Sequence, residues 1–223
     1  QMFVLRLCYS RRIFVMAFPS QKQECFFAGH VAAFEHLGGV PQRLTYDNLK
    51  VAVQRVLVGR GRVQQARFIV LRSHYLFESH FCTPGQGHEK GGVEHGVGYA
   101  RRNFMTPLLR ADSYDDLNEQ LRQACLRDDQ RRVARQAQTI AETWRQEQPY
   151  LRPLPPQAYD CCQELQLQLN PYSQVVIETN RYSVPTERAA AKLRVKLYPL
   201  RVEIYRPEEQ KPLVVHPRCY ERE

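Results

Sequence analysis

Two acidic residues are spaced and flanked so that they could do chemistry. Asp47 follows residues 43–46, RLTY, whose alternation fits a short strand, at the point where a buried strand would leave a sheet and open into a loop. Glu94 lies in residues 90–104, KGGVEHGVGYARRNF. At helical spacing Val93, Val97, Ala100 and Phe104 fall on one face, so a helix beginning near His88 buries that stripe and turns Glu94 away from it. Lys90, Glu94 and Arg101 then share a neighbouring face. Carboxylates are hard donors that suit Mg2+ or Mn2+. Two such ions roughly 3.5–4 Å apart can activate a nucleophile and stabilise a leaving oxygen in phosphoryl transfer. Asp47 and Glu94 could supply part of such a cluster, with Asn48, Lys50, Lys90, Arg101 and Arg102 turned to phosphates. The same spacing also describes a turn residue and a solvated Glu with Lys at i−4, so on spacing alone both readings stand. His88 and His95 form no H-E-x-x-H pattern, and contact with phosphate or water suits them better than ligation of a hard cation.

The elements that would position these groups are readable on both sides. Residues 2–8 and 13–17 are β-rich runs joined by Tyr9–Arg12, a hairpin. In residues 21–37 the spacing of Phe27, Val31 and Phe34, with Ala28 and Leu37 beside them, predicts a helix that Gly38 and Gly39 end. Residues 49–58 are apolar and β-branched, and 59–62, GRGR, form a basic turn that could touch phosphate or simply be solvated. Residues 65–77 predict a helix with Phe68, Leu71, Tyr75 and Leu76 inward, followed by a short strand at 79–82 and a Pro/Gly loop at 83–87. Gly96 and Gly98 within the Glu94 helix cost about 1 kcal/mol each relative to Ala, which implies close approach to a sheet or to a nucleic-acid strand.

Further along, Ser113 caps a helix over 113–126 with Asp115 and Asp116 in its first turn and Leu117, Leu121 and Ala124 on one face. Residues 127–148 read as its polar, Arg-rich continuation, in which Arg131, Arg132 and Arg135 could meet phosphates or solvent. Pro149, Pro153, Pro155 and Pro156 make 149–159 a stiff linker. Beyond it, short runs at 173–178, 182–185, 195–198, 201–205 and 213–216 predict a small β-barrel, with Asn180 and Arg181 in a turn, His216 structural, and Arg194, Lys196 and Arg201 as candidates for DNA or subunit contact.

With 223 residues and 43% apolar content, the chain suits one core domain and a small module. Its +9 charge, most of it within 1–148, suits a phosphate-tracking protein and equally a basic surface kept for solubility. Seven cysteines without a C-x-x-C pair fit neither a zinc ribbon nor a disulfide framework and point to a reducing cytoplasm. No stretch is long and apolar enough to span a membrane, and the N-terminus has no secretory-leader pattern.

The ordered words YDNLKVAV, KGGVEHGVGYARRNF, NRYSVP and the closing HPR resemble the IstA-type insertion-sequence transposases of the DDE recombinase superfamily, over residues 1 to about 218. The resemblance implies an α/β fold: a ribonuclease H-like integrase catalytic core, incomplete at its N-terminus, over 1–110. A helical extension at 111–148, the linker at 149–159 and the barrel at 160–223 follow. It implies that Asp47 and Glu94 are the second and third acidic ligands for Mg2+ or Mn2+. The first belongs to a strand preceding the hairpin, and no acidic residue occurs before Glu24, so this chain is expected to be a C-terminal portion without a full triad and without the family's helix-turn-helix. Implied partners are transposon-end and target DNA, further copies on DNA, and an ATP-dependent helper. The alternative is an inactive remnant that only binds DNA or the intact transposase.

Overall fold

The computed structural model describes residues 1–46, 53–56, 62–82, 87–185 and 192–221. They group into two compact units, Gln1–Tyr159 and Asp160–Glu223.

The first unit opens with β1 (Met2–Arg6) and β2 (Ile13–Ala17), antiparallel from Met2↔Ala17 to Arg6↔Ile13. Helix α1 (Gln23–Leu37) buries Phe27, Ala33, Phe34 and Leu37, while Ala28 and Val31 are half-buried at its margin. Gly38 closes it in the left-handed conformation (φ 70°), and its N–H is bonded to the Glu35 and Phe34 carbonyls. β3 (Arg43–Tyr46) lies parallel to β6 (Glu78–Phe81), pairing Arg43↔Glu78 through Tyr46↔Phe81. Between them come the antiparallel β4 (Val53–Val56) and β5 (Arg62–Gln64), then α2 (Ala66–Tyr75). Phe68, Leu71 and Tyr75 face inward as the pattern predicts, but Leu76 does not. It ends α2 in the left-handed region (φ 57°), is 66% exposed, and leaves the inward place to Phe77.

α3 (Gly87–Phe104) packs Ala100 and Phe104 against Ile13, Val15, Leu121 and Cys125. α4 (Tyr114–Asp128) supplies the last two, and the Ser113 hydroxyl caps it at the Asp116 N–H. Asn118 of α4 grips the end of β2, accepting from the Ala17 N–H (2.6 Å) and donating to its carbonyl (3.1 Å). The expected continuous helix over 127–148 is interrupted. α5 covers only Ile140–Glu147, begun by a capping box between Thr139 and Glu142. The reason is electrostatic: Asp128 and Asp129 turn inward to bonded partners, and a loop closed by the Arg132↔Thr139 bridge carries the chain to α5. The Pro-rich stretch runs along this unit. Val40 and Arg152 exchange backbone bonds (2.9 and 2.8 Å), and Gly39 allows it, since a Cβ there would lie 2.9 Å from the Arg152 carbonyl.

In the second unit, β7 (Gln163–Gln168), β10 (Lys192–Leu197), β11 (Arg201–Tyr205) and β12 (Val214–Pro217) form an antiparallel sheet in the order β12-β11-β10-β7. β8 (Gln174–Ile177) and β9 (Asn180–Ser183) form a hairpin. Pro217 is tolerated because β12 is an edge strand. Val175, Tyr182, Leu193, Val195, Val202 and Ile204 make the core. Asn180 and Arg181 lie in β9 rather than in the turn, which falls one step earlier, where Glu178 takes φ 59°. His216 Nε2 donates to the Ser183 carbonyl (2.8 Å), a structural role.

Two glycines test this packing in opposite directions. A Cβ on Gly29 would lie 2.5 Å from the Phe3 ring, whereas one on Gly96 would meet Val4 at an ordinary 3.6 Å. Gly29→Ala is expected to destabilise the chain by about 1–3 kcal/mol and Gly96→Ala to stabilise it by up to about 1 kcal/mol, as read from urea unfolding.

Candidate functional site

The site is built on the C-terminal end of β3. Leu44 and Tyr46 point inward by strand alternation, and Tyr46 meets His30 of α1. His30 Nδ1 lies 2.8 Å from the Phe26 carbonyl, which can only accept, so Nδ1 carries the proton. Nε2 then accepts from the Tyr46 hydroxyl (2.9 Å). Burial holds the imidazole neutral, lowering its pKa to about 4, and pushes the Tyr46 phenol up. Phe3, Phe26, Phe34 and Phe77 surround the imidazole. The Cys82 N–H donates to the Tyr46 carbonyl (2.9 Å), so β3 and β6 end side by side immediately before position 47.

The second element is α3. Gly96 is buried with Val4 of β1 beside it, but a Cβ there would meet Val4 at an ordinary 3.6 Å, so the close approach expected at this glycine is not required by the packing. Gly98 instead accommodates the Arg102 guanidinium, 3.2 Å from where its Cβ would be. The rotation of α3 is held by Tyr99, whose hydroxyl donates to Asp128 in a short hydrogen bond. Arg131 Nε donates to the same carboxylate (3.0 Å), with its guanidinium 4.9 Å from the centre of the Tyr99 ring. Next to it, Arg12 Nε pairs with Asp129 (3.0 Å) and lies 3.9 Å over Trp144. Both charges are buried, and desolvation pushes the guanidinium pKa down and the carboxyl pKa up, each offset by the other.

Asp47, Asn48 and Lys50 lie outside the described residues, as does 59–61 of the GRGR turn. Glu94 and Lys90 are carried on α3, two and six residues before Gly96. Arg101 and Arg102 stand exposed in its last turn, where basic charge suits the helix C-terminus. In the second unit, the three basic candidates already have partners. Lys196 bonds Asp160 (2.7 Å), Arg201 bonds Glu203 (2.6 Å), and Arg194 donates to the Glu209 carbonyl (2.8 Å) beside Tyr205, so a DNA or subunit contact by any of them would compete with a bond already made. The clamp on α3 and the His30–Tyr46 bond were not among the expected site features. The only signal for them is a His at helical spacing from buried Phe27 and Phe34, and an Asp pair in an otherwise basic run.

Comparison with known proteins gives the family. The chain is 38% identical over 200 residues to a transposase of Aminobacter aminovorans, covering 89% of this chain and 39% of that protein. It is 34% identical over 221 residues to the transposase for insertion sequences IS1326/IS1353 of Pseudomonas aeruginosa, covering 99% and 43%. The chain belongs to the insertion-sequence transposase family. It spans less than half the length of these relatives. Residues 154–223 match the family described as Mu transposase, C-terminal domain. The fold of this transposase-family chain is similar to that of a chain in the cryo-electron-microscopy structure of a simian T-cell lymphotropic virus intasome in complex with PP2A regulatory subunit B56 gamma. The TM-score is 0.51 at 14% identity, covering 99% of this chain and 73% of that one. Among the described residues, no helix is long and apolar enough to cross a membrane.

The buried imidazole makes stability depend on pH with a defined sign. A histidine whose folded pKa is about 4, below its ordinary 6.5, supplies stability that is full above pH 6.5 and is lost as pH falls from there towards 4. His36, held down to about 4 chiefly by burial and then by Arg12 and Arg122, adds the same dependence. Between pH 7 and pH 5, His30→Gln is expected to remove about 2 kcal/mol of the pH-dependent loss, measured by urea unfolding at both pH values.

Proposed function

We propose that this chain is the C-terminal part of a DDE transposase, in which cleavage of transposon ends and strand transfer into target DNA run on a two-metal site held by Asp47, Glu94 and an acid on a preceding strand. The observation that carries the reading is the arrangement around α1. Phe26 and His30 touch Phe3 of β1 and Tyr46 of β3. Yet β1 pairs only with β2, and β3 only with β6, among the described residues. A strand added between β1 and β3 would join both pairs into one mixed sheet of the ribonuclease H-like kind and bring its own acid beside position 47. The second unit, with its four-stranded sheet and hairpin, is then the small barrel that follows the core, joined through 149–159.

The donor set suits the cofactor. Asp47 and Glu94 offer hard carboxylate oxygens of the kind Mg2+ or Mn2+ prefers, whereas Asp128 and Asp129 are already taken by Tyr99, Arg131 and Arg12. When bound, such ions supply charge stabilisation and lower the pKa of a bound water. The protein's own part is positioning. His30 fixes Tyr46 just before Asp47, the Tyr99 clamp fixes the helix of Glu94, and Asn48, Lys50, Lys90, Arg101 and Arg102 bind phosphate oxygens. The family relation supports DNA and further copies of the chain as partners, and an ATP-dependent helper is part of the same proposal.

In the full-length protein, Asp47→Asn or Glu94→Gln is expected to lower strand transfer at least about 100-fold, while duplex affinity changes less than about twofold. Unchanged strand transfer would refute the assignment. Salt-sensitive DNA binding without any cleavage by the unaltered full-length protein would establish the inactive remnant instead.

A further inference from the structure

The run from Arg127 to Arg135, RDDQRRVAR, looks partly balanced in sequence, but its charges separate in space. Asp128 and Asp129 are both buried, the first held by Tyr99 and Arg131 and the second by Arg12 of the hairpin. The acids therefore face inward, and Arg127, Arg132 and Arg135 remain at the surface with no ion pair among the described residues.

The β1–β2 turn adds to this surface. Arg11 is exposed in the left-handed conformation (φ 69°), and Arg6 Nε donates to its carbonyl (3.4 Å). Val4 meets α3 at Gly96, so Arg6, two residues along the same face of β1, comes level with the next turn of α3, where Tyr99 and the Arg131 guanidinium sit. Consistent with that proximity, the Arg6 guanidinium pKa is held below its ordinary value by burial first, then by Arg11 and Arg131. Arg6 and Arg131 thus share the surroundings of a single carboxylate, Asp128, already bonded by Tyr99 and Arg131, and the exposed Arg11 is tied to Arg6 through its carbonyl. A phosphate diester satisfies such a group: its oxygens accept from planar guanidinium forks, and its charge offsets the local excess.

We infer that Arg6, Arg11 and Arg131 form a sequence-independent binding site for the phosphate backbone of duplex DNA, separate from the exposed arginines of α3. The inference rests on the reading of this chain as a DNA-handling protein, and it adds the hairpin turn to the DNA-facing surface. Arg131 is the fixed member, held by Asp128 and Tyr99, and Arg6 and Arg11 are the adjustable ones.

The test is fluorescence anisotropy of the whole 223-residue chain with a labelled duplex of about 30 base pairs, between 50 and 200 mM KCl. Arg6→Gln combined with Arg11→Asn, the latter chosen because Asn tolerates the left-handed conformation, is expected to lower the slope of log affinity against log salt by about 2. Affinity at about 100 mM should fall at least tenfold, and Arg6→Lys with Arg11→Lys should restore the slope. A slope unchanged in the Gln/Asn protein, or no binding by the unaltered chain, overturns the site. So does a weakening confined to phosphatidylserine vesicles. A slope lowered only by Arg101→Gln with Arg102→Gln overturns the hairpin site while leaving the proposed catalytic face standing. Because Arg6 is half-buried, Arg11→Asn alone is the second variant, with an expected slope change of about 1 and a thermal midpoint unchanged.

Discussion

One buried imidazole touches four parts of the first unit at once. His30 has both ring nitrogens bonded, and its faces and edges meet aromatic rings from β1, α1, β3 and the residue preceding β6. In a low-dielectric interior a polar group is tolerated only when its hydrogen bonds are complete, and here they are complete only if Phe26 and Tyr46 hold their places. The position of β3 relative to α1 is therefore specified by polarity as well as by volume. The end of β3 is where the chain passes into Asp47.

A second constraint acts from the other side, through charge. The Arg12–Asp129 pair is buried, and removing one member of such a pair costs about 3–5 kcal/mol because it strands the other. Its neighbour, the Tyr99–Asp128–Arg131 cluster, ties α3 to α4. Together they interrupt the helix expected over 127–148 and direct acids inward and bases outward. The second unit instead pairs its bases with carboxylates close by, Lys196 with Asp160 and Arg201 with Glu203.

Much of this was legible in the residues. The hairpin, the two-faced pattern of α1, the strand leading to Asp47, the Ser113 cap and the Ala100–Phe104 part of the α3 stripe follow from periodicity and local capping, which are properties of neighbouring residues. What escaped depends on partners distant in sequence. Leu76 has the spacing of a core residue, but Phe77 fills that place once the chain turns through a left-handed residue. Asp128 and Asp129 read as solvated helix residues because Arg12, more than a hundred positions earlier, is invisible to a local window. The roles proposed for Glu94 and the basic residues of α3 rest on motif, since spacing alone left them open.

The proposed chemistry requires Asp47 and Glu94 to line one two-metal site. The most direct measurement is a Mn2+ titration of the 15N-labelled chain, following paramagnetic broadening of backbone amides. Broadening that centres on Asp47 and Glu94 together, at the same Mn2+ concentration and lost from both in Asp47→Asn, is the predicted result. Broadening at only one of them, or centred on Asp128 and Asp129, would contradict it.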